Sequence, residues 1–183
     1  MSFVITGNPG VGKHTITKEI SKILQLPIID INDIAQEFGL LEKSEETNDV
    51  NVTILEKLIK EKISSPVLIV GHLAPYVLSP NQIKKAIVLR KNPYDLISTY
   101  KERGYTKQKI KDNVGSEVLG VIFYDAITRF GVEKIFQIDV TFQSIQETTK
   151  KVLDGIKGKI KSEEVDWLTA ATEKNNLKEF FAY

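Results

Sequence analysis

The sequence predicts an α/β fold, a five-stranded parallel sheet with helices on both faces. Three observations lead there. A glycine-rich turn, Thr6-Gly7-Asn8-Pro9-Gly10-Val11-Gly12-Lys13-His14-Thr15, follows the apolar run Phe3-Val4-Ile5 and opens a segment with the apolar spacing of a buried helix. Short, continuously apolar runs recur along the chain, which is how parallel strands covered on both faces read. These runs alternate with amphipathic stretches, the order of a sheet built through helical crossovers.

Composition narrows the class. At 183 residues the chain is read as one domain that buries a core without disulfides or metal staples. A formal charge of +1 argues against a nucleic-acid binder that works by bulk electrostatics, with local basic patches still open. There is no cysteine. Disulfide scaffolds, thiolate zinc sites and thiol catalysis are therefore excluded. The N-terminus enters a strand almost at once and no apolar run reaches bilayer length, so the expectation is a soluble, cytoplasmic protein.

Residues 2–6 form the first strand. The helix from Lys13 sets Ile16, Ile20, Ile23 and Leu24 against Lys18, Glu19 and Lys22, and it stops before Pro27. Pro27 to Ile31 is a second strand, and Asp30 with Asn32 and Asp33 forms a polar cluster able to cap a helix over Ile34 to Phe38. Residues 39–50 turn polar and acidic, with Glu42, Glu45, Glu46 and Asp49. They read either as a solvated loop or as a mobile flap over a substrate. Val52 to Ile63 is an amphipathic helix, and Val67 to Val70 the third strand, ending in Gly71-His72-Leu73. Ligands of open α/β sheets sit at the carboxyl ends of strands, so His72 is placed for chemistry, although an imidazole there serves equally to satisfy local hydrogen bonds.

Ala86 to Arg90 is a fourth buried strand with a cation at its tip. Pro93 opens a helix to about Arg103, and after a short lysine-rich excursion one long helical segment is expected to run to about Arg129. Ile135 to Ile138 is the fifth strand, followed by a helix from Ser144 to Ile156. The tail, residues 157–183, carries Val165, Trp167, Leu168, Leu177, Phe180 and Phe181. It is too apolar for a linker and reads as an arm docked on the domain or one that binds a partner.

Strand, glycine-rich turn and helix together make the motif a phosphate-binding loop of the P-loop NTPase kind. Glycines let consecutive N–H groups curl around an anion, the helix N-terminus adds its positive dipole end, and Lys13 supplies a mobile cation. One position departs from the pattern. Where a Ser or Thr hydroxyl would hold Mg²⁺, this chain has His14, with Thr15 one place later.

The loop, Asp30-x-x-Asp33, Gly71-His72, and Val88-Leu89-Arg90 followed by Lys101-Glu102-Arg103-Gly104-Tyr105 and Asp112-Asn113 carry a resemblance over roughly residues 1–155. The chain resembles the atypical adenylate kinases, also described as ribosome-assembly NTPases. That resemblance implies a nucleoside monophosphate kinase-like domain over residues 1–156. Within it, residues 30–53 would be a mononucleotide flap and residues 102–112 a lid. It implies that Gly10, Val11, Gly12, Lys13, His14, Thr15 and Arg103 meet ATP, bound with Mg²⁺. It further implies that Arg90 lies near the transferred phosphoryl group, that Asp33 shapes the mononucleotide side, and that His72 positions the acceptor or an attacking water.

The activity so implied is transfer of the ATP γ-phosphoryl to AMP or to water. The implied partners are a small-subunit platform ribosomal protein and, indirectly, rRNA, with a role in ribosome biogenesis and rRNA processing. An Asp usual two places before the strand-three His is Val70 here. Both protein groups of the usual Mg²⁺ shell are therefore replaced, which favours, as the alternative, an ATP-switched interaction protein with little turnover.

Overall fold

The computed structural model describes residues 1–43 and 48–181. Among the described residues there are seven strands: β1 (Ser2–Thr6), β2 (Ile28–Asp30), β3 (Leu41–Lys43), β4 (Asn48–Val50), β5 (Leu68–Val70), β6 (Ile83–Arg90) and β7 (Ile135–Asp139). Five form one sheet in the order β2-β5-β1-β6-β7, with every pairing parallel. The glycine-rich turn leaves the central strand, β1. This is an α/β P-loop NTPase fold, as the apolar runs require.

Alternation along each strand sends neighbouring residues to opposite faces. Val4, Ile69, Ala86, Val88 and Ile135 enter one apolar layer, and Ile5, Leu68, Ile87, Leu89, Phe136 and Ile138 the other. The first layer is closed by α2 (Ile31–Glu37), α3 (Val52–Lys62), α4 (Ala74–Val77) and, from further along the chain, residues 121–130. The second is closed by α1 (Lys13–Leu24), α5 (Pro93–Glu102), α6 (Lys107–Leu119) and α8 (Ile145–Ile156).

The solvated-loop reading of residues 39–50 and the single long helix after residue 106 are corrected here. The acidic stretch read as a loop or flap contains an antiparallel pair, β3 with β4, with Glu42 opposite Asp49. Residues 44–47, including Glu45 and Glu46, lie outside the described residues. The single long helix expected after residue 106 is two, α6 and α7 (Val121–Phe130), broken at Gly120. A straight helix covers only one face of the sheet. Val114 and Val118 of α6 belong to one layer and Ile122, Ala126 and Phe130 of α7 to the other, so the chain must turn between them.

Gly120 makes that turn with φ +65°, a left-handed conformation that costs other residues about 1–2 kcal/mol. An added Cβ would also lie 3.2 Å from Arg90 Nη1. Gly120→Ala is therefore expected to lower stability by about 1–2 kcal/mol, read as a drop in the urea midpoint at unchanged slope.

The tail packs on the domain. Here α9 (Trp167–Glu173) and α10 (Leu177–Phe180) lie against α6, burying Ala171 and Phe180. The Phe180 ring meets Tyr94 of α5 edge-on at 5.1 Å between centroids.

Candidate functional site

The site forms where β1, β2, β5 and β6 end together. Gly7 leaves β1 with φ +136°, and a Cβ there would fall against the Leu89 carbonyl oxygen of β6, so the turn starts where only glycine fits. Gly10 and Gly12 also have positive φ, and Gly12 is the N-cap of α1 without a side-chain cap. The first N–H groups of α1 are thereby left for a ligand. Tyr100 of α5 donates its hydroxyl to the Pro9 carbonyl at 2.6 Å, bracing the loop from the side.

Beneath the loop lies a buried polar network that the sequence reading did not contain. Glu117 of α6 accepts from Asn8 Nδ2 at 2.6 Å, from Arg90 Nε at 2.7 Å and from the Lys91 backbone N–H at 3.1 Å. Ser116 Oγ donates to Asn8 Oδ1 at 3.1 Å. Burial pushes the Glu117 carboxyl up, and Arg90 and Asn8 pull against it. Every partner of the carboxylate is a donor, so the ionised form is the one this geometry satisfies. A charged residue among Val114, Val118 and Leu119 was the available signal.

Arg90 requires a correction. Expected near a transferring phosphoryl group, it is only 3% exposed, and its guanidinium is committed to the Glu117 carboxylate and carbonyl and to Gln137 Oε1 at 2.8 Å. It fastens α6 to the sheet below the phosphate loop. A cation at a strand end reads as a ligand contact when its acid lies 27 residues away in the chain.

Lys13 is 4% exposed and folds back on the loop, donating Nζ to the Asn8 carbonyl at 3.2 Å. Burial, and then the nearby positive charge of Arg103, lower its pKa to about 8, with Asp30 acting in the opposite sense. His72, after β5, is lowered to about 4 by burial and then by the nearby positive charge, that of Lys13 first and that of Lys109 with it. It is therefore a neutral imidazole near pH 7, a hydrogen-bonding group and not a cation. Lys13 thus lies within electrostatic range of Arg103 and Asp30, and His72 within range of Lys13 and Lys109. Arg103 is the exposed C-cap of α5, and Lys109 is in the first turn of α6, whose N-cap is Thr106. Lys109 was passed over in the lysine-rich stretch.

His14, in the first turn of α1, does not face the loop anion space alone. Its Nε2 lies 2.9 Å from Asp30 Oδ2, across the end of β2. Asp30 also caps α2 by accepting from the Asn32 N–H at 2.9 Å. Burial pushes the Asp30 carboxyl up, but the bond to His14 and the backbone donors outweigh it and hold the group below its usual value. Thr15 is exposed, as is Asp33 in the first turn of α2. Val70 is buried and apolar, and its Cα partner on β2 is Asp30. Among the described residues, no group of three or more His, Cys, Asp or Glu side chains is arranged to hold a metal.

Comparison with known proteins shows the family. A model of the AAA domain family matches residues 4–120. The chain belongs to that family. Its relatives include a protein of Methanocaldococcus jannaschii provisionally named adenylate kinase, 31% identical over 91% of this chain and 93% of its own length. Another, of Pyrococcus furiosus and with the same name, is 32% identical over 91% of both chains. Among solved structures, shikimate kinase from Aquifex aeolicus superposes with a TM-score of 0.56 at 15% identity, over 86% of this chain and 97% of its own. A gluconokinase from Sinorhizobium meliloti gives 0.56 at 16%, over 86% and 91%. These structures share the fold of the family. Among the described residues, no helix is long and apolar enough to cross a membrane.

Proposed function

We propose that this protein is a nucleotide kinase of the adenylate kinase type, moving the γ-phosphoryl of ATP to AMP. The observation that carries the reading is the glycine-rich turn itself, whose α1 start has no side-chain cap and whose buried Lys13 folds back on it with Nζ on the Asn8 carbonyl. The positive field of Arg103 on the buried Lys13 is only partly offset by Asp30, and a polyphosphate is the kind of anion that such a surplus of positive charge suits. The names carried by the relatives support the same substrate class.

In this reading an AMP phosphate oxygen attacks the γ-phosphorus as the bond to the β,γ-bridging oxygen breaks, giving two ADP. Little covalent help is needed, and charge stabilisation with alignment supplies most of the rate. Gly10, Val11, Gly12 and Thr15 line the phosphates through the loop and helix start. Lys13 swings from the Asn8 carbonyl to the β- and γ-oxygens. Arg103 closes from residues 102–112 as a lid, and Lys109 adds charge on the same side. His72, neutral, orients the acceptor or a water by hydrogen bonding, and Asp33 borders the mononucleotide side formed by residues 30–53. Arg90 acts as a positioning residue through Glu117.

Mg²⁺ bound to ATP would neutralise β,γ charge. The donors present suit a cation held mainly by phosphate oxygens and water, with His14 and Asp30 beside it.

Incubation with ATP and Mg²⁺, with and without AMP, followed by chromatographic separation, tests this. ADP formed at the expense of both nucleotides, and only with AMP, is the expected result. Phosphate release independent of AMP would make it an ATPase. A second reading, an ATP switch for a small-subunit ribosomal partner with weak turnover, draws on the replacement of the usual metal-shell groups by His14 and Val70. Intact ATP binding without turnover, and nucleotide-dependent capture of such a partner, would favour it.

A further inference from the structure

The pair His14–Asp30 stands where the usual hydroxyl and carboxylate are missing. Strand register puts Asp30 directly beside Val70, so the carboxylate absent from β5 is present one strand over. His14 follows Lys13 in the first turn of α1, and its ring is held at 2.9 Å from Asp30. Asp30 is itself fixed, its second oxygen accepting the Asn32 N–H. When a neutral ring donates Nε2–H to a carboxylate, the tautomer is set and Nδ1 becomes the lone-pair nitrogen. This is the arrangement by which metal-bound histidines are oriented in proteins. The His14 side chain is 46% exposed, against 16% for Asp30, so the ring is the accessible partner and the carboxylate its support.

We propose that His14 Nδ1 is a direct ligand of the divalent cation that enters with the nucleotide, with Asp30 as its orienting group. The site is thereby biased away from Mg²⁺ toward first-row ions that accept an imidazole nitrogen more readily, of which Mn²⁺ is the weakest case and the spectroscopic probe. The inference rests on the nucleotide-binding reading above. Two side chains do not make a metal site, which agrees with the lack of a three-ligand cluster among the described residues. The remaining positions fall to phosphate oxygens and water, so the ion binds only with nucleotide. Magnesium prefers oxygen and keeps its waters, whereas later first-row ions gain from an imidazole nitrogen.

The test uses the full chain with Mn²⁺ and ADP, and pulsed electron paramagnetic resonance on the bound ion. Nitrogen modulation that changes when the histidines carry ¹⁵N, and that vanishes in His14→Ser, is the expected result. In parallel, the ratio of ADP affinities with Mn²⁺ and with Mg²⁺ is expected to fall about tenfold in His14→Ser and partly in Asp30→Asn. Bound Mn²⁺–ADP without histidine modulation, or an unchanged ratio, overturns the proposal and leaves nucleotide binding standing. Failure of ADP to bind with either metal overturns both.

Discussion

Lys13→Ala is expected to lower turnover by about 10²–10³-fold, the usual loss when one fixed donor to a transition-state oxygen is removed. Far-ultraviolet circular dichroism should be unchanged, because the side chain closes no apolar contact that the fold depends on. Unchanged ADP formation would remove Lys13 from the chemistry. The same residue carries a stability signature of opposite sign. Its pKa falls from 10.5 to about 8 on folding, so the native state holds its proton less tightly than the unfolded chain.

Between pH 8 and 10.5 the unfolded state therefore binds more protons, and stability rises with pH across that window. Below pH 8 the cost of the buried charge is complete, about 3 kcal/mol at 1.4 kcal/mol per unit. Lys13→Met should accordingly be more stable than the native chain near pH 7 and lose the rise between pH 8 and 10.5. Urea titrations of both proteins across that range decide it. A loop that destabilises its own empty state is prepared for an anion, which returns the proton affinity that folding removed.

Glu117→Ala is expected to cost about 3–5 kcal/mol, because it leaves the buried Arg90 guanidinium without its acid. Asn8 loses its acceptor in the same step, and the loop loses its floor. The double variant Arg90→Met/Glu117→Leu should recover a large part of that loss, since an apolar pair of similar volume replaces a buried ion pair at little cost. Denaturant midpoints of the two variants test the ordering. A loss below about 1 kcal/mol in Glu117→Ala, the range of exposed ion pairs, would show that water reaches Arg90.

The phosphate loop and the sheet were legible because local chemistry dictates them. Phe3-Val4-Ile5 and Ala86-Ile87-Val88-Leu89 are too short for helices and too apolar for surface, and the glycines after β1 have no other use than a tight turn. The Gly120 break was hidden by its neighbours. Val118, Leu119, Val121 and Ile122 sustain an apolar pattern through it, and only the need to serve both faces of a sheet interrupts the helix. The β3–β4 pair is short and polar and lacks the alternation by which strands are read. The place of Arg90 near a phosphoryl group was implied by the family resemblance, whereas its environment comes from α6 folding back across the sheet end. His14 was read as a missing hydroxyl, and its pairing with Asp30 depends on where β2 lies beside β5, which no local pattern encodes.

The turn at Gly120 bears on cooperativity. Because α6 belongs to one apolar layer and α7 to the other, and Arg90 clasps the last turn of α6 to the centre of the sheet, neither layer can open without straining the other. Loss of structure on one face is transmitted through the single residue Gly120 to the opposite face. The protein is thus built to unfold as one unit, and local opening is confined to segments outside that clasp, such as the short turn between α5 and α6.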